Sequence, residues 1–130
     1  MPFKAKILLT VLAIVAFDAA ASSVSRILQF DYTRFVWLSF LLYVLIGYWG
    51  AYHRGFVYGV LLGTFAGLAD STLGWFASNM IRPFVRTPIP SLRPLAVAIV
   101  VVVLTATAFL FGSVGAAICK LFGQTRSADA

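Results

Sequence analysis

Two aspartates, Asp18 and Asp70, stand out by type and position, because each interrupts a long apolar run. A charged side chain near the centre of a bilayer costs about 2.5–3.5 kcal/mol on insertion scales, so it faces protein or a water-filled cavity. Such a carboxylate can hold a proton or cation in a small transporter or channel. It can also serve as a hydrogen-bonding strut between helices. At about 1.5 Å of rise per residue, Asp18 lies about 16 Å, and Asp70 about 21 Å, from the side at which their helices begin. That is about one helical turn apart in depth. Tyr43 and Thr105, counted from the opposite side, fall near the same midplane, and either could donate a hydrogen bond to Asp18. Arg26 lies nearer the level of Asp70, which opens an Asp70–Arg26 ion pair if helices one and three touch.

Other chemistry has little to build on. His53 is the single histidine and Cys119 the single cysteine, so neither an intrachain disulfide nor a zinc site is expected. No phosphate-cradling glycine loop or nucleophilic triad is present in the sequence. The expectation is a protein without cofactor or metal, and not an enzyme. His53 reads as a residue of a surface turn and Cys119 as a small packing residue.

The elements that must position the two carboxylates are set by composition. Hydrophobic residues make up 62% of the 130-residue chain and charged residues 11%. A soluble domain is roughly half apolar and about a quarter charged, and a chain this apolar could not cover a water-facing surface. A bilayer removes that demand. The fold class expected is therefore all-α, a single integral membrane domain over 1–130 formed as a compact bundle of four helices. Each span needs about 20 mostly apolar residues, and four stretches qualify, at about 7–29, 35–52, 56–78 and 95–122. Asp31 to Arg34 break the first gap, and His53, Arg54 and Gly55 form a tight turn in the second. The third gap, 79–94, carries Pro83, Pro88, Pro90 and Pro94 with Arg82, Arg86 and Arg93. Proline at that density blocks a helix, and the arginines suit anionic lipid headgroups.

An N-terminal signal peptide is the rival to the first span. Lys4 and Lys6 would be its basic region, Ile7 to Phe17 its apolar core, and Ala19 to Ala21 its cleavage site. Against cleavage, Asp18, Ser22, Ser25 and Gln29 recur at steps of four, three and four, which places them on one helical face across the cut. One uncut helix with an inward polar stripe is the expected outcome.

Packing faces are legible as rows of small residues. Gly55, Gly59, Gly63 and Gly67 recur every four positions in helix three, with Gly74 and Ser78 beyond. Helix four carries Thr105, Ala108, Gly112, Gly115 and Cys119, and helix two carries Ser39, Tyr43, Gly47 and Gly50. Lipid tails are as apolar as leucine, so helix association there depends on close approach, which small residues permit. The seams are expected to pack within one chain, with self-association or a larger membrane complex as the alternative. Tyr48, Trp49 and Tyr52 at one end of helix two, and Phe30, Tyr32, Phe35 and Trp37 at the other, suit interfacial aromatic belts.

The formal net charge is +6. The basic residues lie beside apolar runs, so the expected partners are the bilayer and its anionic headgroups, and no nucleic acid. Four spans put both termini on one side. Lys4, Lys6, Arg54, Lys120 and Arg126 lie there, against Arg26, Arg34, Arg82, Arg86 and Arg93 on the other. The positive-inside comparison is therefore balanced. The lysines ahead of helix one favour cytoplasmic termini, and insertion in both orientations is the alternative. The expected role is a non-enzymatic structural or accessory membrane component, or else a small transporter or channel using Asp18 and Asp70.

Overall fold

The computed structural model describes residues 2–85 and 94–122. Among these residues there is no strand, and four helices are long and apolar enough to cross a membrane. Helix α1 spans Phe3–Leu28, α2 spans Val36–Arg54, α3 spans Phe56–Ile81 and α4 spans Pro94–Phe122.

The ends follow local chemistry. Pro2 in extended conformation precedes α1, and Gln29 closes it in the left-handed region at φ 53°, its N–H bonded to the Ser25 carbonyl. A single 3₁₀ turn, Tyr32–Phe35, then leads into α2. Asp31 caps that turn: its carboxylate accepts from the Thr33 N–H at 3.1 Å and the Thr33 hydroxyl at 2.9 Å. Gly55 at φ 93° joins α2 to α3, a conformation that needs a residue without Cβ. Arg82 at φ 54° ends α3, and Pro83 follows. Pro94 opens α4, where its fixed φ and missing N–H cost the helix nothing. Helix α1 starts four residues earlier than the apolar run suggests. Lys6 is only 4% exposed and lays its ammonium over the Trp49 ring, 5.5 Å from the centroid, so its stem packs as part of the helix.

Helix α3 is not α-helical throughout. Residues Asp70–Gly74 form one π-turn. Three side-chain hydroxyl contacts turn back onto the backbone here: Ser71 to the Leu68 carbonyl at 3.2 Å, and Thr72 to Leu68 at 2.6 Å and to Ala69 at 3.5 Å. Hydroxyls that compete for the helix ladder in this way favour local distortion.

Helices α2, α3 and α4 form a tight three-helix unit, and α1 packs chiefly along α3. The unit is assembled through small residues. A side chain at Gly47 would strike the Gly112 carbonyl, one at Gly59 the Gly47 carbonyl, one at Gly67 the Ala108 methyl, and one at Gly115 the Val44 carbonyl. Gly63 and Gly112 face each other, with a Cβ at Gly63 falling 2.6 Å from the Gly112 Cα. The backbones are in contact, the close approach by which packed helices gain dispersion energy. Around this seam Tyr43, Ile46, Leu62, Ala66, Ala69 and Ala108 are buried with Ile14 from α1. Phe40 and Phe111 stack at 4.7 Å beside them.

One member of the expected glycine row does not pack. Nothing lies within 4 Å of where a Gly55 side chain would project, so this glycine serves the turn and the row begins at Gly59. Spacing alone could not separate the two roles.

Candidate functional site

The polar stripe of α1 is directed at the far half of α3. Asp18, Ser22 and Ser25 are all buried, whereas Gln29 at the helix end is exposed. Asp18, at 2% exposure, meets Asp70, and the two carboxyl groups lie within hydrogen-bonding reach of each other. Asp18 occupies the place where a side chain on Gly74 would begin, and Asp70 Oδ1 lies 3.2 Å from it. Glycine at 74 therefore makes room for the pair, and the π-turn that starts at Asp70 and ends at Gly74 sets both residues toward α1.

Hydroxyl groups close the site. Tyr43 of α2, fully buried, donates to Asp70 Oδ2. Tyr32 donates to Asp18 Oδ1 at 3.1 Å. The Tyr32 oxygen also lies 3.1 Å from Ser78 Oγ, and Ser22 donates to Ser78 at 3.0 Å. With each hydroxyl supplying one proton, the donors run in order from Ser22 to Ser78 to Tyr32 to Asp18. Residues of α1, α2, α3 and the α1–α2 connection thus converge on one pair of carboxyls.

Tyr32 reaches the pair because its turn is tied down from two directions. Its N–H bonds the Phe84 carbonyl at 3.0 Å. The Ser25 hydroxyl bonds the Phe30 carbonyl at 2.6 Å and lies 3.1 Å from that of Phe84. The segment after α3 is thereby laced to the turn after α1. The pair consequently sits one tyrosine's length from the first connection.

Once these bonds are made, one mismatch remains. Asp18 Oδ2 is buried without a hydrogen-bond donor, and the Asp70 carboxyl lies beside it. Two charged carboxylates this close repel, the more so where one of them is buried. They are compatible when a positive charge, a proton or a cation, lies between them.

The remaining sequence-derived candidates fall elsewhere. Arg26 does not pair with Asp70: its guanidinium donates to the Ile81 carbonyl at 3.0 Å, on the exposed side of the end of α3. Tyr43 bonds Asp70, not Asp18. Thr105 is not at the pair. It lies beside Gly67 on the α3–α4 seam, its hydroxyl buried without a partner. Arg82 is exposed, while Arg86 and Arg93 lie outside the described residues. His53 is exposed at the end of α2, its Nδ1 at 2.9 Å from the Trp49 carbonyl, and Cys119 is buried in the α2–α3–α4 seam.

The tyrosine missed by sequence reasoning is Tyr32. Flanked by Asp31, Thr33 and Arg34, it has the local composition of a headgroup-level residue, and nothing in that composition indicates that the turn folds inward. Ser22 was legible on the polar stripe of α1, but Gly74 and Ser78 looked like packing residues only. The chain matches no protein-family model, and no curated protein or solved structure is similar to it.

Proposed function

We propose that this chain is a multi-pass integral membrane protein with a non-enzymatic structural or accessory role, its four helices crossing the bilayer as a compact bundle. A carboxyl clamp fastens α1 to the other three. The carrying observation is that Asp18 and Asp70, the two acids set within apolar helices, lie against each other and accept hydrogen bonds from Tyr32 and Tyr43. Helix α1 makes less contact with α2 and α4 than these make with each other and with α3. A polar fastening to α3 therefore adds holding where the small-residue seam does not reach. Inside hydrocarbon the alternative partner for these groups is lipid, which offers no hydrogen bond.

The bilayer is the first partner, since leucines, valines and phenylalanines cover the outer faces, among them Leu8, Leu12, Val102, Leu110 and Leu121. Anionic headgroups are the partners of Arg82, Arg86 and Arg93. Self-association or membership of a larger membrane complex is the alternative to a bundle that stands alone. Both termini lie on one side, the cytoplasmic one.

A second reading, a small transporter or channel, draws on Asp18 Oδ2, which the clamp leaves without a donor, and on Asp70, which is only half-buried. Cysteine accessibility separates the two. Asp18 and Asp70 are each replaced by Cys in a Cys119→Ala background and probed from both sides with a membrane-impermeant thiol reagent. A folded protein that resists labelling at both positions supports the clamp. Labelling from either side means that water reaches the pair and puts transport first.

A further inference from the structure

We propose that the groove between α1 and α2 binds one anionic phospholipid, its phosphate held by Lys6 and Arg54 and an acyl chain lying against Leu9, Ala13, Leu45 and Ile46. The inference rests on the reading of the chain as a membrane protein and goes beyond the clamp, which lies farther along α1.

The first observation is the state of Lys6. It is 4% exposed, yet among the described residues no oxygen accepts a hydrogen bond from its ammonium. The stem is covered but the ammonium itself is not sealed off. Its contact is the face of Trp49, 5.5 Å from the centroid, which attracts the charge but gives its three N–H donors no lone pair. The described acids are engaged elsewhere, Asp18 and Asp70 with each other and Asp31 in the turn beyond α1. Arg54 comes close enough for its charge to repel that of Lys6, and it lies over a ring too, 5.5 Å from that of Tyr58. Two cations thus converge where α1 begins and α2 ends. A buried charge is costly unless paired, and one phosphate offers acceptors to both.

The second observation is the groove. Helices α1 and α2 scarcely touch, and a cleft of about 190 Å³ lies between them, lined by Leu9, Thr10, Ala13, Leu45, Ile46 and Trp49. Trp49 joins the two observations, since it lines the cleft and carries the Lys6 ammonium. Thr10 stands four residues, about 6 Å, beyond Lys6 on the same face of α1. It is 3% exposed, and its buried hydroxyl bonds nothing, not even the carbonyl one turn back that a helical threonine commonly uses. This face therefore offers a cation, then an unbonded hydroxyl, then an apolar wall. A phospholipid presents a phosphate, ester carbonyls and hydrocarbon in the same order. A soluble anion matches only the first of these, and a zwitterionic lipid brings its own ammonium toward Lys6 and Arg54. The site is on the side of the termini, which in the orientation proposed above is the leaflet where anionic lipids gather.

The test reads Trp49 in the full chain, with Trp37 and Trp75, both exposed, changed to Phe. The protein is placed in phosphatidylcholine vesicles in which a fixed fraction of the lipid carries brominated chains, on phosphatidylglycerol or on phosphatidylcholine. Bromine quenches an indole that it touches. Phosphatidylglycerol is expected to quench Trp49 with an apparent affinity about fivefold that of phosphatidylcholine, the effect of about one basic residue at a membrane surface. Lys6→Gln, which keeps the stem, is expected to abolish the preference, and so is Ala13→Phe, which fills the cleft. Lys120→Gln removes the same charge from an exposed position on the same side and is expected to retain it. Equal quenching by the two lipids, a preference that survives Lys6→Gln or Ala13→Phe, or one that Lys120→Gln also removes, each overturns the proposal. Displacement of the brominated lipid by inorganic phosphate at constant ionic strength overturns it as well, since the site would then be one for a free anion. Wild-type protein in detergent gives a second reading that needs no substitution. Its melting temperature is expected to rise by several degrees with added phosphatidylglycerol and less with phosphatidylcholine or inorganic phosphate, and equal responses overturn the proposal. Equal quenching in a folded protein would leave the bundle and its clamp standing. No quenching by either lipid, with Trp49 only half-buried, would overturn this site and count against membrane insertion itself, so the two failures are distinguishable.

Discussion

Tyr43 and Tyr32 bond one carboxyl each, and the two hydroxyls are not equivalent. Tyr43 rises from the three-helix unit and its loss affects Asp70 alone, whereas Tyr32 belongs to a chain that also includes Ser78 and Ser22. Tyr43→Phe is expected to cost about 0.6–1.7 kcal/mol, the range for hydrogen bonds between membrane helices, as a lowered melting temperature in detergent. At position 18 the order of damage is expected to be Ala well beyond Asn, because Asn keeps the shape and one donor while Ala leaves Asp70 and Tyr32 facing a void. That order in thermal melts supports a clamp, and equal damage from both rules it out. At this scale the sequence was informative about which acids matter and silent about their donors. The acids are conspicuous because apolar neighbours surround them, while Tyr32 is adjacent to Asp31 and Arg34 and resembles its polar surroundings.

Among the elements, the glycines divide by what they accommodate. Gly112 must lack a side chain because Gly63 stands in its place, a Cβ there lying 2.8 Å from the Gly63 Cα. Gly55 must lack one because its backbone is left-handed, although the space around it is open. Gly112→Val should push α3 and α4 apart at a cost of about 1–3 kcal/mol or more. Gly55→Ala should cost about 1–2 kcal/mol through conformation alone. The native thiol reads the difference. Cys119 is fully buried in the seam, so a thiol reagent is expected to label it markedly faster in Gly112→Val and at the wild-type rate in folded Gly55→Ala. Equal labelling in both would mean that the seam does not shield it. The seam was readable because its period is helical and its residues small. The π-turn was not, since Asp70 to Gly74 contains nothing that an ordinary helix refuses.

For the whole molecule, the four crossings proposed above require both termini on the same face, and reporter tags at each end are expected to agree; opposite faces would exclude the fourfold crossing. The four apolar stretches that composition marked became helices within a few residues of the expected bounds, because length and hydropathy leave little else for them to be. Their order of attachment was less evident. Helices α2, α3 and α4 close on one another through glycine and alanine, while α1 meets α3 through a buried polar stripe. Substitutions in the stripe should therefore loosen α1 before the other three. Protease accessibility of the α1–α2 connection in Ser22→Ala/Ser78→Ala protein is the measure, with faster cleavage expected and seam labelling at Cys119 unchanged.

The wide turn at Asp70–Gly74 also means that helix three holds one residue more than an unbroken α-helix would over the same path. Removing Thr72 would let the segment close to ordinary α geometry while the residues beyond it keep their bearing, with Ser78 still beside Ser22 and with Gly59, Gly63 and Gly67 seated against helices two and four. The same deletion in the regular stretch, at Val60, has no spare residue to absorb it and turns everything on one side of it by about 100°. Helix three is thus expected to tolerate a shortening at one place along its length, where only the setting of Asp70 is lost.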